Sequence, residues 1–536
     1  MSEHILSLMT FFPLLGMLIV LMLPRENGGL LKIATLVVTL ITFIISLPLA
    51  LDPVFKTSAA MHYTELVPWI SVGDYFHMNY SVGIDGISLW LVMLTTFIMP
   101  ITVLSTWNAV DKNVKGFMAL MLLLETAMLG AFISLDLFLF YIFWELMLIP
   151  MYFMIGIWGG SNRIYAAVKF FIYTAVGSLL MLVAIIYLYY FAVQSGAGAN
   201  GFSITDFYNL SMHPEMQKWL FLAFAFSFAI KVPMFPVHTW LPDAHTEAPT
   251  AGSVILAAVM LKMGTYGYLR FAMPLFPDAL QLFLPWLAAL SVIGIIYGAL
   301  VAMMQKDVKK LVAYSSVSHL GFVMLGLFAL NSIGVSGSIL QMINHGISTG
   351  ALFLIVGFLY ERRHTRLISE FGGLSKQMPV FAVIFMIVTL SSIGLPALNG
   401  FVGEFMILLG AFESDLRWFA VFATSGVILA AVYMLWMFQR VMFGKLDNPK
   451  NQNLKDLSVR EVCVMLPLLV FIFWIGVYPN TFLEKMEPAV NQAIYQITAE
   501  SQATGYGYGE HSACPQDDVS GAAGKYHQQD GSGYHH

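Results

Sequence analysis

Residues 231–270 read KVPMFPVHTWLPDAHTEAPTAGSVILAAVMLKMGTYGYLR, and this stretch decides the fold. Two prolines follow Lys231 within five residues at the end of an apolar run, so a helix that reaches Lys231 must break there. The next apolar run, 248–271, is long enough to cross a membrane and carries Lys262 near its middle. A lysine at that depth costs about 2.5–3.5 kcal/mol on insertion scales. The stretch therefore predicts a broken membrane helix beside a functional intramembrane lysine.

The whole chain has the composition of a membrane protein. Of its 536 residues, 58% are hydrophobic and 11% are charged, with a mean hydropathy of +0.77, whereas soluble domains carry about 25% charged residues. Runs of about 20 apolar residues cross the hydrocarbon core as helices rather than as barrel strands. We therefore predict an all-α, polytopic membrane protein with about 14 transmembrane helices. The fourteen runs are 5–23, 31–51, 84–107, 115–134, 136–158, 166–193, 217–243, 249–271, 279–304, 308–329, 335–360, 379–411, 416–442 and 460–480.

Two of these runs, 217–243 and 379–411, are long and contain an internal break. The second break is the sequence GLPALNG at 394–400. Broken helices at corresponding positions of two halves point to a transport site. Each break falls in the fourth of five consecutive helices, and because five is an odd number we predict two inverted five-helix repeats. Carbonyl groups freed by a break, such as that of Ala229, should need water or a polar side chain.

The predicted organisation has five parts. Helices 1–3 and a periplasmic connection occupy 1–114; the two five-helix units occupy 115–271 and 279–442; the last transmembrane helix and an amphipathic surface helix occupy 443–500. The Gly-, Ser-, His- and Tyr-rich tail, 501–536, is predicted to be disordered. Within the first part, an aromatic segment at 52–83 is expected to cover the outer surface.

Basic residues predict the orientation. With the N-terminus outside, the inner connections hold 18 Lys and Arg residues and the outer ones hold 6, while Lys231 and Lys262 are intramembrane. This distribution follows the positive-inside rule. We expect a multi-pass protein of the bacterial inner (cytoplasmic) membrane with both termini periplasmic.

Six ionisable side chains fall near the middle of apolar runs, where charges are functional by default. Burial favours the neutral form of a lysine and a nearby carboxylate favours the charged form, so a changing distance between Lys231 and Glu145 would load and unload a proton. Lys262, with no acidic residue on its own helix, is the predicted central carrier. Histidines titrate near neutral pH and suit a relay. The predicted proton-transfer residues are Glu145, Lys231, Lys262, His319, His345 and Glu404.

Each of these groups also has a structural interpretation. The Glu145–Lys231 pair could only fix helix packing, Lys262 could extend to the surface, each histidine could be a hydrogen-bonded core residue, and Glu404 could satisfy freed backbone donors. Asp136 is equally compatible with helix N-capping and with function. Further polar residues could hold water near the histidines; they are Ser315, Ser316, Ser318, Asn344, Ser348 and Thr349. A possible proton entrance is the set His238, Asp243, His245 and Glu247.

Several classes of function are disfavoured. The sequence has no glycine-rich nucleotide loop, haem motif or cysteine cluster, and its two cysteines, Cys463 and Cys514, suggest no disulfide framework. We therefore expect no cofactor or metal in this chain, and no nucleic-acid partner. The energy for transport must therefore come from outside this chain.

Three strings carry a family resemblance: residues 231–270, SSIGLPALNGFVGEF at 391–405 and DLFLFYIFWELMLIPMYFMIGIWG at 136–159. They resemble chain M of bacterial respiratory complex I, the proton-translocating NADH:quinone oxidoreductase, and the resemblance extends to about residue 495. It implies a fourteen-helix antiporter-like fold in one of three related proton-channel subunits of the membrane arm. It also implies that FMN, iron–sulfur clusters and quinone belong to other subunits.

The resemblance assigns roles to individual positions. The glutamate of FWE, Glu145, pairs with Lys231; the lysine of LKMGTYG, Lys262, is the central relay; and the glutamate of FVGEF, Glu404, lies toward the exit. Other antiporter-like subunits and their relatives in Mrp-type Na+/H+ antiporters typically carry lysine at the last position. Glu404 therefore favours complex I over the alternative, a Na+/H+ antiporter subunit. A purely structural membrane scaffold is a third possibility.

The Glu145–Lys231 pair gives a first testable prediction. Lys231→Ala or Glu145→Ala should leave assembly of the complex intact but reduce coupled turnover, because moving one charge against 100 mV requires about 2.3 kcal/mol, which corresponds to roughly two pKa units at one lysine. NADH oxidation and proton uptake are measured together in membrane vesicles. Normal pumping by a correctly assembled Glu145→Ala complex would contradict the prediction.

Overall fold

Apolar helices dominate the computed structural model, which describes residues 4–73, 76–196 and 201–503. Twelve helices in these ranges are long and apolar enough to cross a membrane. They are α1 (Ile5–Met22), α2 (Gly28–Leu51), α3 (Gly86–Ser105), α4 (Val114–Ile133), α5 with α6 (Leu137–Leu146 and Leu148–Trp158), α7 (Arg163–Gln194), α11 to α13 (Thr250–Leu275), α14 (Pro277–Met303), α15 (Val308–Phe328), α16 (Ser332–Arg363), α19 (Arg417–Met442) and α20 (Val459–Val477).

The other two predicted crossings are broken helices, as expected. The first consists of α9 (Pro214–Lys231) and α10 (Trp240–Glu247), and the second of α17 (Pro379–Ser392) and α18 (Asn399–Glu413). Together with the twelve continuous spans they account for the fourteen predicted runs, so the all-α membrane fold is confirmed. The span Thr250–Leu275 is itself irregular: α11 (Thr250–Ile255), α12 (Leu261–Gly267) and α13 (Met273–Leu275) are joined by π-helical turns at Leu256–Met260 and Tyr268–Ala272.

The remaining elements lie between or after the spans. The segment 52–83, expected only to cover a surface, forms a short 3₁₀ turn at Pro53–Lys56 and an antiparallel hairpin of β1 (His62–Val72) and β2 (Phe76–Ile84). Residues Ile204–Tyr208 form α8, and three more 3₁₀ turns occupy Ile368–Glu370, Leu374–Lys376 and Pro449–Asn451.

The predicted surface helix is present as α21 (Asn480–Ala503). It is amphipathic: Phe482, Met486 and Val490 are buried, whereas Tyr495 on the opposite side is 65% exposed. The tail predicted to be disordered was 501–536. This was wrong for 501–503, because α21 continues to Ala503, and residues 504–536 lie outside the described ranges.

Burial separates a central layer from a rim. In five of the spans, 83–100% of the residues in the apolar stretch are buried; these spans are α3, α4, Thr250–Leu275, α15 and α16. In the other seven continuous spans, 33–56% are buried. The central layer therefore includes the helices of Lys262, His319 and His345, and the rim presents apolar faces outward.

Both breaks have satisfied backbone groups. At the first, the carbonyl of Ala229 accepts the N–H of Met234 at 2.8 Å, so the expectation that it needs water or a side chain was wrong. The carbonyl of Ile230 accepts the indole N–H of Trp240 at 2.8 Å. At the second, Gly394 adopts a left-handed backbone (φ +74°) and lets Leu395 N–H bond Leu390 O at 3.0 Å.

Close packing at Gly86 gives a second prediction. A Cβ at Gly86 would overlap the carbonyl oxygen of Lys485 on α21, so Gly86→Ala should force α21 away from α3 and lower the free energy of unfolding by about 1–3 kcal/mol. Thermal unfolding of the purified complex measures the loss. The matched control is Gly294→Ala, where the added Cβ meets nothing within 4 Å. Equal stability of the two variants would refute this packing role.

Candidate functional site

Lys262 lies at the centre of the central layer. It belongs to α12, between the two π-helical turns, and is 0% exposed. Its Nζ donates a hydrogen bond to the carbonyl of Ala257 and lies 2.6 Å from Nδ1 of His345 on α16. The side chain therefore does not extend to a surface, which excludes the structural interpretation for this lysine. π-helical turns inside α-helices are frequently found at functional sites.

The two histidines continue the contact from Lys262. The rings of His345 and His319 are 5.9 Å apart between centroids, in an edge-to-face arrangement. Nδ1 of His319 lies 2.9 Å from Oε1 of Glu404. One buried chain thus runs across four helices, from α12 through α16 and α15 to α18. Its members, in this order, are Lys262, His345, His319 and Glu404. We refer to these four residues as the buried chain.

From Lys262 to Glu404 the histidines occur in the order His345, His319, whereas a route that follows the sequence order would have His319 before His345. His345 is next to Lys262 because α16 packs directly against the Lys262 span: a Cβ at Gly346 would lie 2.9 Å from Ala258 O. The missing side chain at Gly346 allows this approach. His319, on α15, therefore contacts Glu404 instead of Lys262.

Amide side chains support Glu404, which is 3% exposed. Gln341 donates from Nε2 to Oε1 of Glu404 at 3.1 Å, and Asn344 donates to Oε1 of Gln341 at 3.2 Å and to Asn399 O at 2.7 Å. Gln341 was missed at the sequence level. It lies one helical turn from Asn344 and His345, and this spacing could have identified it.

A small polar cavity adjoins the two histidines. Its volume available to water centres is about 10 Å³, roughly enough for one water molecule. The lining residues are His319, Gln341, Asn344, His345, Ser348, Thr349, Ser391, Ser392 and Gly400. Asn344, Ser348 and Thr349 were expected to hold water and do line it.

Three serines on α15 do not belong to this cavity, contrary to expectation. The hydroxyls of Ser315 and Ser316 bond to Val312 O of their own helix, and Ser318 donates to Ile295 O on α14. These hydroxyls are occupied by backbone carbonyls. The polar surface comes instead from α16 and from the second break.

Lys231 and Glu145 lie in the first half, but they do not form an ion pair here. Lys231, the last residue of α9, is 2% exposed, and its Nζ lies 4.8 Å from the centroid of the Trp144 ring. Neither Nζ of Lys231 nor Oε1 of Glu145 has a hydrogen-bond partner within the described ranges. The predicted pair is therefore not formed in this structure, and the ring of Trp144 is the group that lies next to the ammonium.

The Lys262 span packs on the first break. A Cβ at Gly264 would meet Val232 N at 2.8 Å, so α12 touches the residue after Lys231. In the described part of the chain, no hydrogen bond joins the two lysine side chains. The six predicted residues thus divide into the buried chain of four and the separate Lys231–Glu145 pair.

The four residues of the predicted proton entrance do not form one cluster. Asp243 pairs with Lys169 at 2.7 Å, and Glu247 accepts the N–H of Asn162 at 2.9 Å. His245 is 0% exposed and stacks on Phe353 at 4.6 Å between ring centroids. Among the described residues, no three His, Cys, Asp or Glu side chains are placed to hold a metal ion. His238 packs beside Phe235 and Tyr297.

Asp136 is a helix cap. Its Oδ1 accepts the N–H groups of Phe138 and Leu139, both at 3.0 Å. This geometry confirms the capping interpretation.

Two other buried features were missed. Arg270 pairs with Asp85 at 2.6 Å, 185 positions away, and Glu125 on α4 is 0% exposed. Glu125 could have been found as the one acidic residue in the run 115–134.

Comparison with known proteins supplies the family. Residues 134–430 match the family described as "NADH:quinone oxidoreductase/Mrp antiporter, TM", and residues 30–131 match "NADH-ubiquinone oxidoreductase chain 4, amino terminus". The chain is 46% identical to NADH-quinone oxidoreductase subunit M of Rhodobacter capsulatus over 510 residues, covering 93% of this chain and 98% of that protein. It is 44% identical to NADH-ubiquinone oxidoreductase chain 4 of Marchantia polymorpha, with 91% and 97% covered.

Solved structures agree. A chain of respiratory complex I from Thermus thermophilus with bound NADH superposes with a TM-score of 0.82 at 31% identity, covering 92% of this chain and 99% of that one. A chain of the Mrp complex from Dietzia sp. gives a TM-score of 0.78 at 19% identity, with 93% and 99% covered, and so shares the fold. The chain belongs to the family of NADH-quinone oxidoreductase subunit M and NADH-ubiquinone oxidoreductase chain 4.

Proposed function

We propose that this chain moves protons across the bacterial inner membrane as an antiporter-like subunit in the membrane arm of a NADH:quinone oxidoreductase. The observation that carries the proposal is the buried chain, in which ionisable groups of four helices lie side by side in an apolar bundle. Its partners are the other membrane-arm subunits, including two related antiporter-like subunits, and lipid. FMN, iron–sulfur clusters and quinone belong to other subunits, where quinone reduction drives transport.

The buried chain supports transfer from Lys262 toward Glu404. Lys262 can pass a proton to His345 across the 2.6 Å contact, since a neutral imidazole nitrogen accepts. The small polar cavity beside His345 and His319 suits a water that bridges the two rings. His319 then delivers to the carboxylate of Glu404 across 2.9 Å. The polar partners of Glu404 make it a suitable end point within the second unit, 279–442.

The first unit, 115–271, supports the loading of a proton onto Lys231. Opening and closing of the Lys231–Glu145 distance changes the proton affinity of the lysine, because a carboxylate favours the ammonium form. His245 on α10 is a fully buried imidazole among the residues of the predicted proton entrance, which fits entry from the inner surface. The 18-to-6 distribution of basic residues supports an inner surface that faces the cytoplasm, with both termini in the periplasm.

The Na+/H+ antiporter alternative is supported by the fold shared with the Mrp chain at 19% identity and by the matched family, whose description also names Mrp antiporters. Glu404 in place of the lysine typical of those relatives argues against it. A passive scaffold does not require unpaired ionisable groups in its core, since each is costly to bury.

Removal of the central carrier provides a decisive prediction. Lys262→Met keeps a linear apolar side chain but cannot hold a proton, so proton pumping per NADH oxidised should fall at least about 10-fold. The complex is reconstituted in vesicles, and proton and Na+ movements are followed together. Lys306→Met, on an exposed inner turn, is the control and should pump normally. Pumping by Lys262→Met at the parent rate, or Na+-dependent transport, would refute the proposal.

The two histidines should act in series. His345→Gln and His319→Gln should each lower the pumping rate, and the double variant should be no slower than the slower single variant, because either change interrupts the same route. Rates are compared at equal amounts of assembled complex. Multiplicative losses in the double variant would indicate two independent routes.

A further inference from the structure

Trp144 directly precedes Glu145 on α5, and its indole is 2% exposed. Aromatic neighbours hold the ring on two sides: Phe140 lies 5.5 Å away and Phe228 lies 5.5 Å away between centroids. Phe228 is also one turn before Lys231 on α9, so the same packing fixes the ring relative to the lysine. The indole is thus a rigid surface beside the first break.

The ammonium group of Lys231 rests over this surface. The separation of 4.8 Å between Nζ and the ring centroid lies inside the range of about 6 Å for cation–π attraction, for which tryptophan is the best partner. Nζ has no hydrogen-bond partner within the described ranges, and an unpaired ammonium is costly to bury. The ring face is therefore the contact that stabilises a charged Lys231 while it is apart from Glu145.

Glu145, the residue after Trp144 on α5, carries the other group that can act as a partner of the Lys231 ammonium. Consecutive residues of a helix point about 100° apart, so Trp144 and Glu145 flank Lys231 from neighbouring directions. The lysine stem is flexible and carries a compact charge. We expect rotation of this stem to exchange one partner for the other.

We propose that Trp144 is a positioning residue that holds the Lys231 ammonium away from Glu145, so that the lysine alternates between the indole face and the carboxylate. This inference rests on the proposed proton transport and names the alternative partner in its first unit. When the indole is a weaker partner, Lys231 spends more time paired with Glu145. The proton then stays on the pair and transfer onward slows.

Fluorinated tryptophans test the contact without changing its shape. Analogues with one, two and three ring fluorines are placed at position 144 of the assembled complex, and pumping per NADH is measured in vesicles. Each fluorine withdraws electron density from the ring and weakens cation–π attraction, so the rate should fall stepwise, by roughly 2- to 30-fold over the series. The conservative variant Trp144→Phe should retain more activity than Trp144→Leu.

Two further measurements make the result decisive. The same analogues at Trp286, which is 71% exposed, should leave pumping unchanged. A cryo-EM structure of the Trp144→Leu complex should show Lys231 Nζ within about 4 Å of a Glu145 oxygen, which is salt-bridge distance. If pumping per NADH does not change with the number of fluorines and falls only in Trp144→Leu, the proposal is overturned in favour of a packing role for the indole. Because Lys262→Met tests transport itself, its outcome separates failure of this inference from failure of the proposed function.

Discussion

The lack of water in the hydrocarbon core is the constraint on which this structure depends, since every backbone N–H and C=O must find a partner within the protein. A helix can break in such a medium only where other groups take over its hydrogen bonds. Trp240 does this for Ile230, and Met234 does it for Ala229. The first break is consequently a defined structure, and it fixes the position of Lys231 at the end of α9.

The two halves use their breaks differently. In the second half, the residues around the break supply hydroxyl and amide groups to the cavity, and Glu404 is tied to His319 and Gln341. In the first half, aromatic rings surround the break, and Lys231 has a ring face as its neighbour. One half therefore holds connected polar groups, and the other keeps its charged residues apart. A proton that crosses from one to the other requires a change of contacts near Lys231 and Lys262.

Local features could be predicted from the sequence, and features that depend on which helices meet could not. Apolar run length and proline position are properties of neighbouring residues, and they located all fourteen crossings and both breaks. The hairpin His62–Ile84 was missed because its stability comes from pairing across strands and from the elements beneath it. The order of His345 and His319 depends on the approach of α16 at Gly346, and the pair of Arg270 with Asp85 joins positions 185 apart. The separation of Lys231 from Glu145 likewise depends on packing, because Trp144 is oriented by Phe140 and Phe228.

The irregular span Thr250–Leu275 is held at both of its ends. Arg270 is fixed to Asp85 near one end, and Lys309 donates to the carbonyl of Ala248 just before the other. The first π-helical turn, Leu256–Met260, lies between these anchors, whereas the second, Tyr268–Ala272, contains Arg270 itself. Of the two turns that flank the Lys262 segment, only Leu256–Met260 is free of the ion pair with Asp85. Any adjustment of the Lys262 backbone would therefore be taken up at Leu256–Met260 rather than at the turn that holds Arg270.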